Sequence, residues 1–438
     1  MSSQFKLLEE QRFRPFFFTQ FLGAFNDNVF KTTLITLVAF HATSLTSISG
    51  NTLATLLPAL FILPFFLFSA TAGQLADKYE KSRIIRVIKV FEIAIMLFAS
   101  AGFFLGNIWL LATALFMMGT HSTFFGPVKY SYLPQHLSEN ELMGGNGMVE
   151  MGSFVAILLG QVLGAWLGAQ HNHTGITSLT ILLIAFMGYA ISRGIPHSPA
   201  PAPQLKINWN PVSETYRNLK FAWANQAIWL ALIAISWFWF YGATLLAQFP
   251  NFAKNTLHGD ESVFIVLLSF FSIGIGIGSL LCEKLSAGKV ELGLVLFGAI
   301  GLTIFGADLY FATPAPLALH QPVYIYQTFL SELPHLRLIV DIILLGIFGG
   351  FYIVPLYVLI QARTEKSHQS RVIAANNILN ALFMVASAGF SVFVFNQGFD
   401  IPQLFIITAI TNLFVAGYLC VRQPEYFQTF CAWLFSHR

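Results

Sequence analysis

The stretch Gly73–Arg83, "GQLADKYEKSR", ends one apolar run and leads into another. A glycine, an acid and three bases crowd the end of a segment otherwise fit for lipid. A helix needs roughly 20 apolar residues to cross a bilayer, and such runs recur along the chain on both sides of this stretch. Six lie at 15–41, 51–76, 84–105, 108–134, 147–169 and 175–193, and six at 226–253, 262–284, 290–311, 337–361, 371–396 and 401–421. Composition agrees: 56% of the 438 residues are hydrophobic and 10% charged, against about 25% charged in soluble domains. The chain reads as a polytopic membrane protein, with no nucleic acid expected as partner. Cys282, Cys420 and Cys431 have no paired spacing, so neither a disulfide framework nor a metal site is expected. No cofactor is expected. The polar start "MSSQFKLLEEQRFR" runs into the first span without a signal-cleavage pattern.

Orientation follows from the bases. Of 23 Lys and Arg, Lys31 and Lys129 are placed inside spans, Lys254 and Arg337 on the far face, and the other 19 on the N-terminal side. That side is therefore read as cytoplasmic, with both termini inside. The opening stretch also repeats. "GSLLCEKLSAGK" (Gly278–Lys289) follows span 8 as Gly73–Arg83 follows span 2, at an offset of 205. Pro127 and Pro355 are 228 apart, and "NGMVE" (Asn146–Glu150) precedes "NNILN" (Asn376–Asn380) by 230. The jump in offset is assigned to a long outer loop near 312–336. Six plus six spans with parallel repeats predict a two-bundle secondary transporter. The expected partition is a bundle over 1–194, a cytoplasmic linker over 195–225, a second bundle over 226–422 and a cytoplasmic tail over 423–438. The linker is rich in Pro, Ser and Asn and is expected to tolerate rocking of the bundles.

A charge at a helix centre costs roughly 2.5–3.5 kcal/mol on insertion scales, so charges inside spans need a reason. Asp27 lies roughly 18 Å into span 1 at the helical rise, with Lys31 one turn later and acid preceding base. Two readings stay open: an ion pair that neutralises itself, or a ligand site, with Asn26 and Asn28 adding polar groups. Lys129 and Glu150, both assigned to the first bundle, either pair with each other or serve a substrate. Glu92 is expected to pair with the basic loop between spans 2 and 3, Asp341 is a weaker candidate, and His121 is expected as a satisfied interior histidine. The second half carries Tyr241, Gln248, Gln361, Asn376, Asn377 and Asn380 beside aromatic residues such as Phe238, Trp239 and Phe348. A polar first half facing an apolar second half suits an amphiphile better than a sugar.

These motifs resemble a known family. Gly73–Arg83 is similar to the loop between helices 2 and 3 of the major facilitator superfamily, "G-x-x-x-D-K-x-x-K-x-R". That implies an all-α integral membrane protein with twelve transmembrane helices in two six-helix bundles. In that setting Gly73 allows close helix approach. Asp77 pairs with a base and caps a neighbouring helix, and Lys78, Lys81 and Arg83 complete a cytoplasmic gate. A plain basic loop is the alternative. Glu80 stands where the superfamily usually has Gly, so the turn is expected to differ.

More specifically, "QFLGAFNDN" (Gln20–Asn28), "GQLAD" (Gly73–Asp77), "GPVKYSYL" (Gly126–Leu133), "NGMVEMGSFVAILLGQVLG" (Asn146–Gly164) and "GIFGGFYIVPLYVLIQ" (Gly346–Gln361) resemble motifs of the lysophospholipid transporter (LplT-type) family of Gram-negative bacteria. The resemblance implies movement of lysophosphatidylethanolamine and lysophosphatidylglycerol across the inner membrane towards the cytoplasm. There an acyltransferase/acyl-ACP synthetase, separate or fused, reacylates them. It implies a monomer that is a transporter and not an enzyme, and the tail "QPEYFQTFCAWLF" looks like the join in fused relatives. Lys129 then attracts the lipid phosphate, while Asp27 and Glu150 balance it or bind an ammonium. The wider substrate set is Asn28, Lys31, Asn146, Tyr241, Gln248 and Asn380. Leu246 stands where relatives carry an arginine, so that head-group contact is lost or taken by Gln248. An ion-coupled transporter of another small amphiphile and a non-transporting platform for an acyltransferase are the alternatives.

Overall fold

The computed structural model describes residues 4–45, 50–169, 174–314 and 323–436. Long helices dominate it. The first half contains α1 (Arg14–Leu45), α2 (Gly50–Lys78), α3 (Lys81–Phe104), α4 (Ile108–His136), α5 (Glu139–Ala169) and α6 (Thr174–Ser192). A shorter helix, α7 (Pro211–Trp223), lies in the linker. Then come α8 (Gln226–Asn251), α9 (Glu261–Leu285), α10 (Gly293–Ala312), the short α11 (Tyr326–Ser331), α12 (Leu333–Arg363), α13 (Gln369–Asn396), α14 (Ile401–Arg422) and α15 (Glu425–Ser436). Eleven helices among the described residues are long and apolar enough to cross a membrane. The remaining long helix, α1, carries Asn26, Asp27, Asn28 and Lys31 at its centre. Polar caps set several starts. Asn107, Asn225 and Asp260 each accept two backbone N–H groups at the heads of α4, α8 and α9, which supplies orphan donors with partners.

The chain forms two compact units. The first comprises Met1–Ser138, Val155–Ala224 and Arg363–Ile378; the second comprises Glu139–Phe154, Asn225–Ala362 and Leu379–Arg438. This departs from the expected partition, because α5 and α13 each contribute one half to each unit. Within the first unit the start of α13 is held by α2. Within the second, the start of α5 is tied to α12 through Asn146 and Gln361.

Glycines bring the helix backbones together, as in other membrane bundles. In the first unit a Cβ on Gly160, Gly164 or Gly168 of α5 would lie 2.7, 2.6 or 2.6 Å from Phe25 O, Val29 O or Thr33 O of α1. Gly119 of α4 lies against Phe61 O of α2, and in the second unit Gly278 of α9 lies against Ile347 O of α12.

One expectation changes, and two segments gain detail. Lys89 was counted among the cytoplasmic bases, yet it lies in α3, and its side chain has 0% exposure. The linker is held to the first bundle by hydrogen bonds. Ser198 N–H donates to Glu80 Oε1 at 2.7 Å, Ser198 O accepts Lys81 N–H at 3.1 Å and Asp77 O accepts Ala202 N–H at 2.9 Å. Asn208 N–H donates to Gln74 Oε1 at 2.7 Å. The segment after span 12 is helix α15, packed on α10 through Trp433 and Phe297, with ring centroids 5.2 Å apart. Part of the long outer loop, 315–322, lies outside the described residues.

Candidate functional site

The interior of the first unit holds a cluster of charge on three helices. Glu92 of α3 is its centre. One of its oxygens accepts Lys89 Nζ at 2.6 Å and the other accepts Asn26 Nδ2 at 2.7 Å. His121 of α4 stands between two carboxylates, with Nε2 3.3 Å from Glu92 Oε2 and Nδ1 3.8 Å from Asp27 Oδ1. The other Asp27 oxygen accepts the Ser122 hydroxyl at 2.5 Å. Lys89 and Glu92 side chains are 0% exposed, His121 is 2% and Asp27 14%. Asp27 is therefore the least buried member of the cluster. Neither ring nitrogen of His121 has a hydrogen-bond partner of ordinary geometry, nor does Asp27 Oδ1. Buried polar groups are nearly always satisfied, so the cluster is incompletely paired at its Asp27 end. Among the described residues, no group of His, Cys, Asp and Glu is placed to hold a metal ion.

Sequence reasoning found Asp27 and missed its neighbours. Glu92 is expected to pair with the basic loop from about a turn inside the membrane, but its partners are Lys89, Asn26 and His121. It lies eleven residues into α3, roughly 16 Å along the helix, and belongs to the interior. Lys89 had been taken for a loop base. An acid three residues after a base inside an apolar run was the available signal. His121 is a bridge between acids rather than a satisfied interior histidine. Lys31 does not close on Asp27; its ammonium stands over the Phe61 ring, 5.3 Å from the centroid.

The remaining candidates separate. Asn28 faces α5: its side chain donates to Ala24 O at 2.8 Å, and its Cβ lies 2.9 Å from where a Cβ on Gly160 would be. Lys129 is half-buried in α4, with Nζ 4.9 Å from the Tyr130 ring centroid. It lies seven residues after Ser122, roughly 10 Å along the helix. Glu150 is buried and is grouped with the second unit, whereas Lys129 is grouped with the first. Asn146 forms a reciprocal amide pair with Gln361, at 2.7 and 3.0 Å. Asn380 accepts the Ser236 hydroxyl at 2.9 Å. Tyr241 donates its buried hydroxyl to Leu302 O at 2.8 Å, which commits it to the α8–α10 contact. Gln248 and Leu246 are half-buried in α8.

The opening stretch builds a second constellation at the end of α2. Asp77 Oδ1 accepts the Ser370 backbone N–H at 3.0 Å, and Oδ2 accepts Arg371 Nε at 3.0 Å. It thus caps α13 and pairs with a base in its first turn. Lys81 Nζ donates to Ala76 O at 2.9 Å and reaches Ser370 Oγ at 3.5 Å. Ser370 Oγ meets Ser131 Oγ of α4 at 2.9 Å. Gly73 leaves room for α13: a Cβ there would lie 2.7 Å from Ala374 Cβ and 2.9 Å from Ser370 O. Lys78 and Arg83 stand apart from this contact. Lys78 lies 5.7 Å from the Tyr79 ring centroid, and the Arg83 side chain is exposed. Glu80, the departure from the expected glycine, caps α3. Partial burial pushes its carboxyl up, but N–H groups of Ser198, Ser82 and Arg83 outweigh burial and hold it below the usual carboxylate range.

A multi-pass, all-helical chain in two units, with buried charge inside one of them and a capped acid–base latch, has the build of a membrane transporter. The model of the Major Facilitator Superfamily matches residues 16–331, and the chain belongs to that superfamily. In sequence it is similar to the lysophospholipid transporter LplT of Klebsiella pneumoniae subsp. pneumoniae, 26% identical over 376 residues, or 84% of this chain and 85% of that protein. LplT of an Enterobacter species is 26% identical over 412 residues, or 90% and 93%. In fold it is similar to the human organic anion transporter MFSD10, with a TM-score of 0.68 at 13% identity, covering 93% of this chain and 99% of that one.

Proposed function

We propose that this protein is a lysophospholipid transporter of the bacterial inner membrane, carrying its substrate from the outer to the inner leaflet by alternating access, with both termini cytoplasmic. The observation that carries this reading is similarity to LplT proteins along 84–90% of the chain. Two cationic and acidic groups in the first unit suit a zwitterionic head group. Asp27, the least buried member of the cluster, takes the ammonium. Lys129, two turns along α4 from Ser122, takes the phosphate as a point charge. The acyl chain stays against apolar helix faces. Asp77 at the end of α2 acts as the gate: breaking its bonds to Ser370 and Arg371 frees the start of α13 from α2. The product passes to an acyltransferase/acyl-ACP synthetase that restores the second chain.

Uptake of radiolabelled lysophosphatidylethanolamine by spheroplasts tests this. Wild-type protein should raise uptake above vector controls, and Asp27→Ala and Lys129→Ala should each remove most of the gain. Equal uptake by all three proteins discards the site.

A further inference from the structure

The linker helix α7 is amphipathic in the reverse of the usual sense. A helix packed on a protein ordinarily turns its apolar stripe inward and its polar face to water. α7 instead buries Glu214, at 0% exposure, and Asn218, at 4%. Val212, Tyr216 and Trp223 are turned outward, as is Trp209 just before the helix, and all four are between 66 and 78% exposed. At 3.6 residues per turn, Val212, Tyr216, Leu219 and Trp223 fall within about 60° of one another, so they form one continuous stripe. Arg217 and Lys220 of the helix and Lys206 of the segment before it have exposed side chains. The helix has one acid, Glu214. It faces inward, with Oε2 3.5 Å from Arg217 Nε. The outward face is therefore aromatic and basic.

Both ends of α7 are fastened where spans end or begin. Gln74 of α2 holds Asn208 by two bonds: Asn208 N–H donates to Oε1 at 2.7 Å, and Nε2 donates to Asn208 O at 2.9 Å. At the other end α8 starts three residues after Trp223, capped by Asn225. Phe221, opposite the stripe, stacks on His368 with ring centroids 4.3 Å apart, which fixes the roll of the helix. An exposed apolar patch of this kind marks a protein or membrane contact. Tryptophan and tyrosine flanked by bases, at the level where spans emerge, make the composition of a helix lying in the head-group layer.

We propose that the outward face of α7 is a docking surface for anionic lipids of the leaflet on the linker's side. The aromatic stripe enters the interface, and Lys206, Arg217 and Lys220 meet lipid phosphates. Charge selects this occupant, because an anionic leaflet attracts each base near its surface, whereas an uncharged leaflet offers the stripe alone. The surface lies outside the polar interior of the first unit and does not depend on which substrate is carried.

The purified full-length protein tests this in nanodiscs of phosphatidylcholine alone and of phosphatidylcholine with phosphatidylglycerol in equal parts. Spin labels are attached at Val212→Cys, Tyr216→Cys or, beside the stripe, Ser213→Cys, each with Cys420→Ser and Cys431→Ser. In the mixed discs the labels at 212 and 216 should collide more with oxygen, which concentrates in lipid, than with a water-soluble nickel complex. The label at 213 should show the reverse. In the unlabelled wild type, hydrogen exchange of peptides covering 211–223 should slow in the mixed discs, by about fivefold for each base that meets the surface. Lys206→Gln/Lys220→Gln should remove most of that difference and leave exchange in phosphatidylcholine discs unchanged. Three results each overturn the proposal: greater nickel access at 212 and 216, low access of both agents there as a protein contact would give, or equal wild-type exchange in the two kinds of disc. Lysolipid movement is read separately, so its presence or absence leaves this result standing, and failure of the docking leaves the transport reading standing.

Discussion

Removing the Asp77 carboxylate should open the start of α13, and the size of the effect can be worked out. Asp77 has 0% side-chain exposure and Arg371 7%. Asp77→Ala removes an N-cap from α13, which costs about 1 kcal/mol. It also strands the Arg371 guanidinium, and losing one partner of a buried pair costs about 3–5 kcal/mol. Arg371 keeps a hydrogen bond from Nη2 to Ser367 O at 2.8 Å, which favours the lower end of that range. One carboxylate supplies both interactions, so the two costs overlap rather than add, and a net effect of about 3 kcal/mol corresponds to on the order of 100-fold in the local opening equilibrium. Hydrogen exchange read by mass spectrometry on peptides covering residues 366–376 measures it. Exchange should quicken on the order of 100-fold in Asp77→Ala. Asp77→Asn, which keeps an acceptor for the Ser370 N–H, should fall between. The double variant Asp77→Ala/Arg371→Ala should lose less than the sum of the single effects, because it strands nothing. If Asp77→Ala exchanges like the wild type, the latch carries no energy and the gate argument fails.

Other consequences follow from single contacts. Glu92→Gln leaves Lys89 buried without its anion and should cost about 3–5 kcal/mol; adding Lys89→Met should recover part of the thermal stability, and a further drop instead would show that the pair is not the main partnership. Gly164→Ala places a Cβ 2.6 Å from Val29 O and should destabilise by about 1–3 kcal/mol, whereas Gly417→Ala, with nothing within 4 Å, should be silent; equal melting temperatures for both would remove the close α1–α5 contact. Glu80 has a depressed folded pKa, so its contribution is fully present above the ordinary carboxylate value and lost as pH falls through the lower folded value. Proteolysis of the 196–206 linker segment should therefore stay slow at mildly acidic pH and speed up only below that window, and Glu80→Gln should be fast throughout.

Much of this arrangement is legible in the residues themselves, and the misses have physical causes. Apolar runs fix eleven of the twelve long helices among the described residues, because a bilayer accepts little else. Asp27 stands out because a charge at that depth is expensive. Lys89 escapes notice, and Glu92 is given the wrong partner, because both lie near the basic loop in sequence, and helical rise, not proximity in sequence, decides their depth. Tyr241 looks like a polar group offered to a ligand, but only packing reveals that Leu302 O takes its hydroxyl. The motif around Asp77 announces that a base and a helix end will meet it, without naming Arg371, 294 residues away. The linker composition marks a connection, but only the fold reveals that Glu80 and Gln74 pin it at Ser198 and Asn208.

The central claim is that the polar interior of the first unit carries a lysolipid head group across the membrane. Fluorescent lysophosphatidylethanolamine in proteoliposomes, with the outer leaflet quenched at timed intervals, measures that movement directly. The account predicts protein-dependent loss of lipid from the outer leaflet that slows by about tenfold or more in Asp27→Ala, as removal of a charged hydrogen-bonding partner requires. Movement at the same rate in both proteins, or none beyond protein-free liposomes, would contradict it.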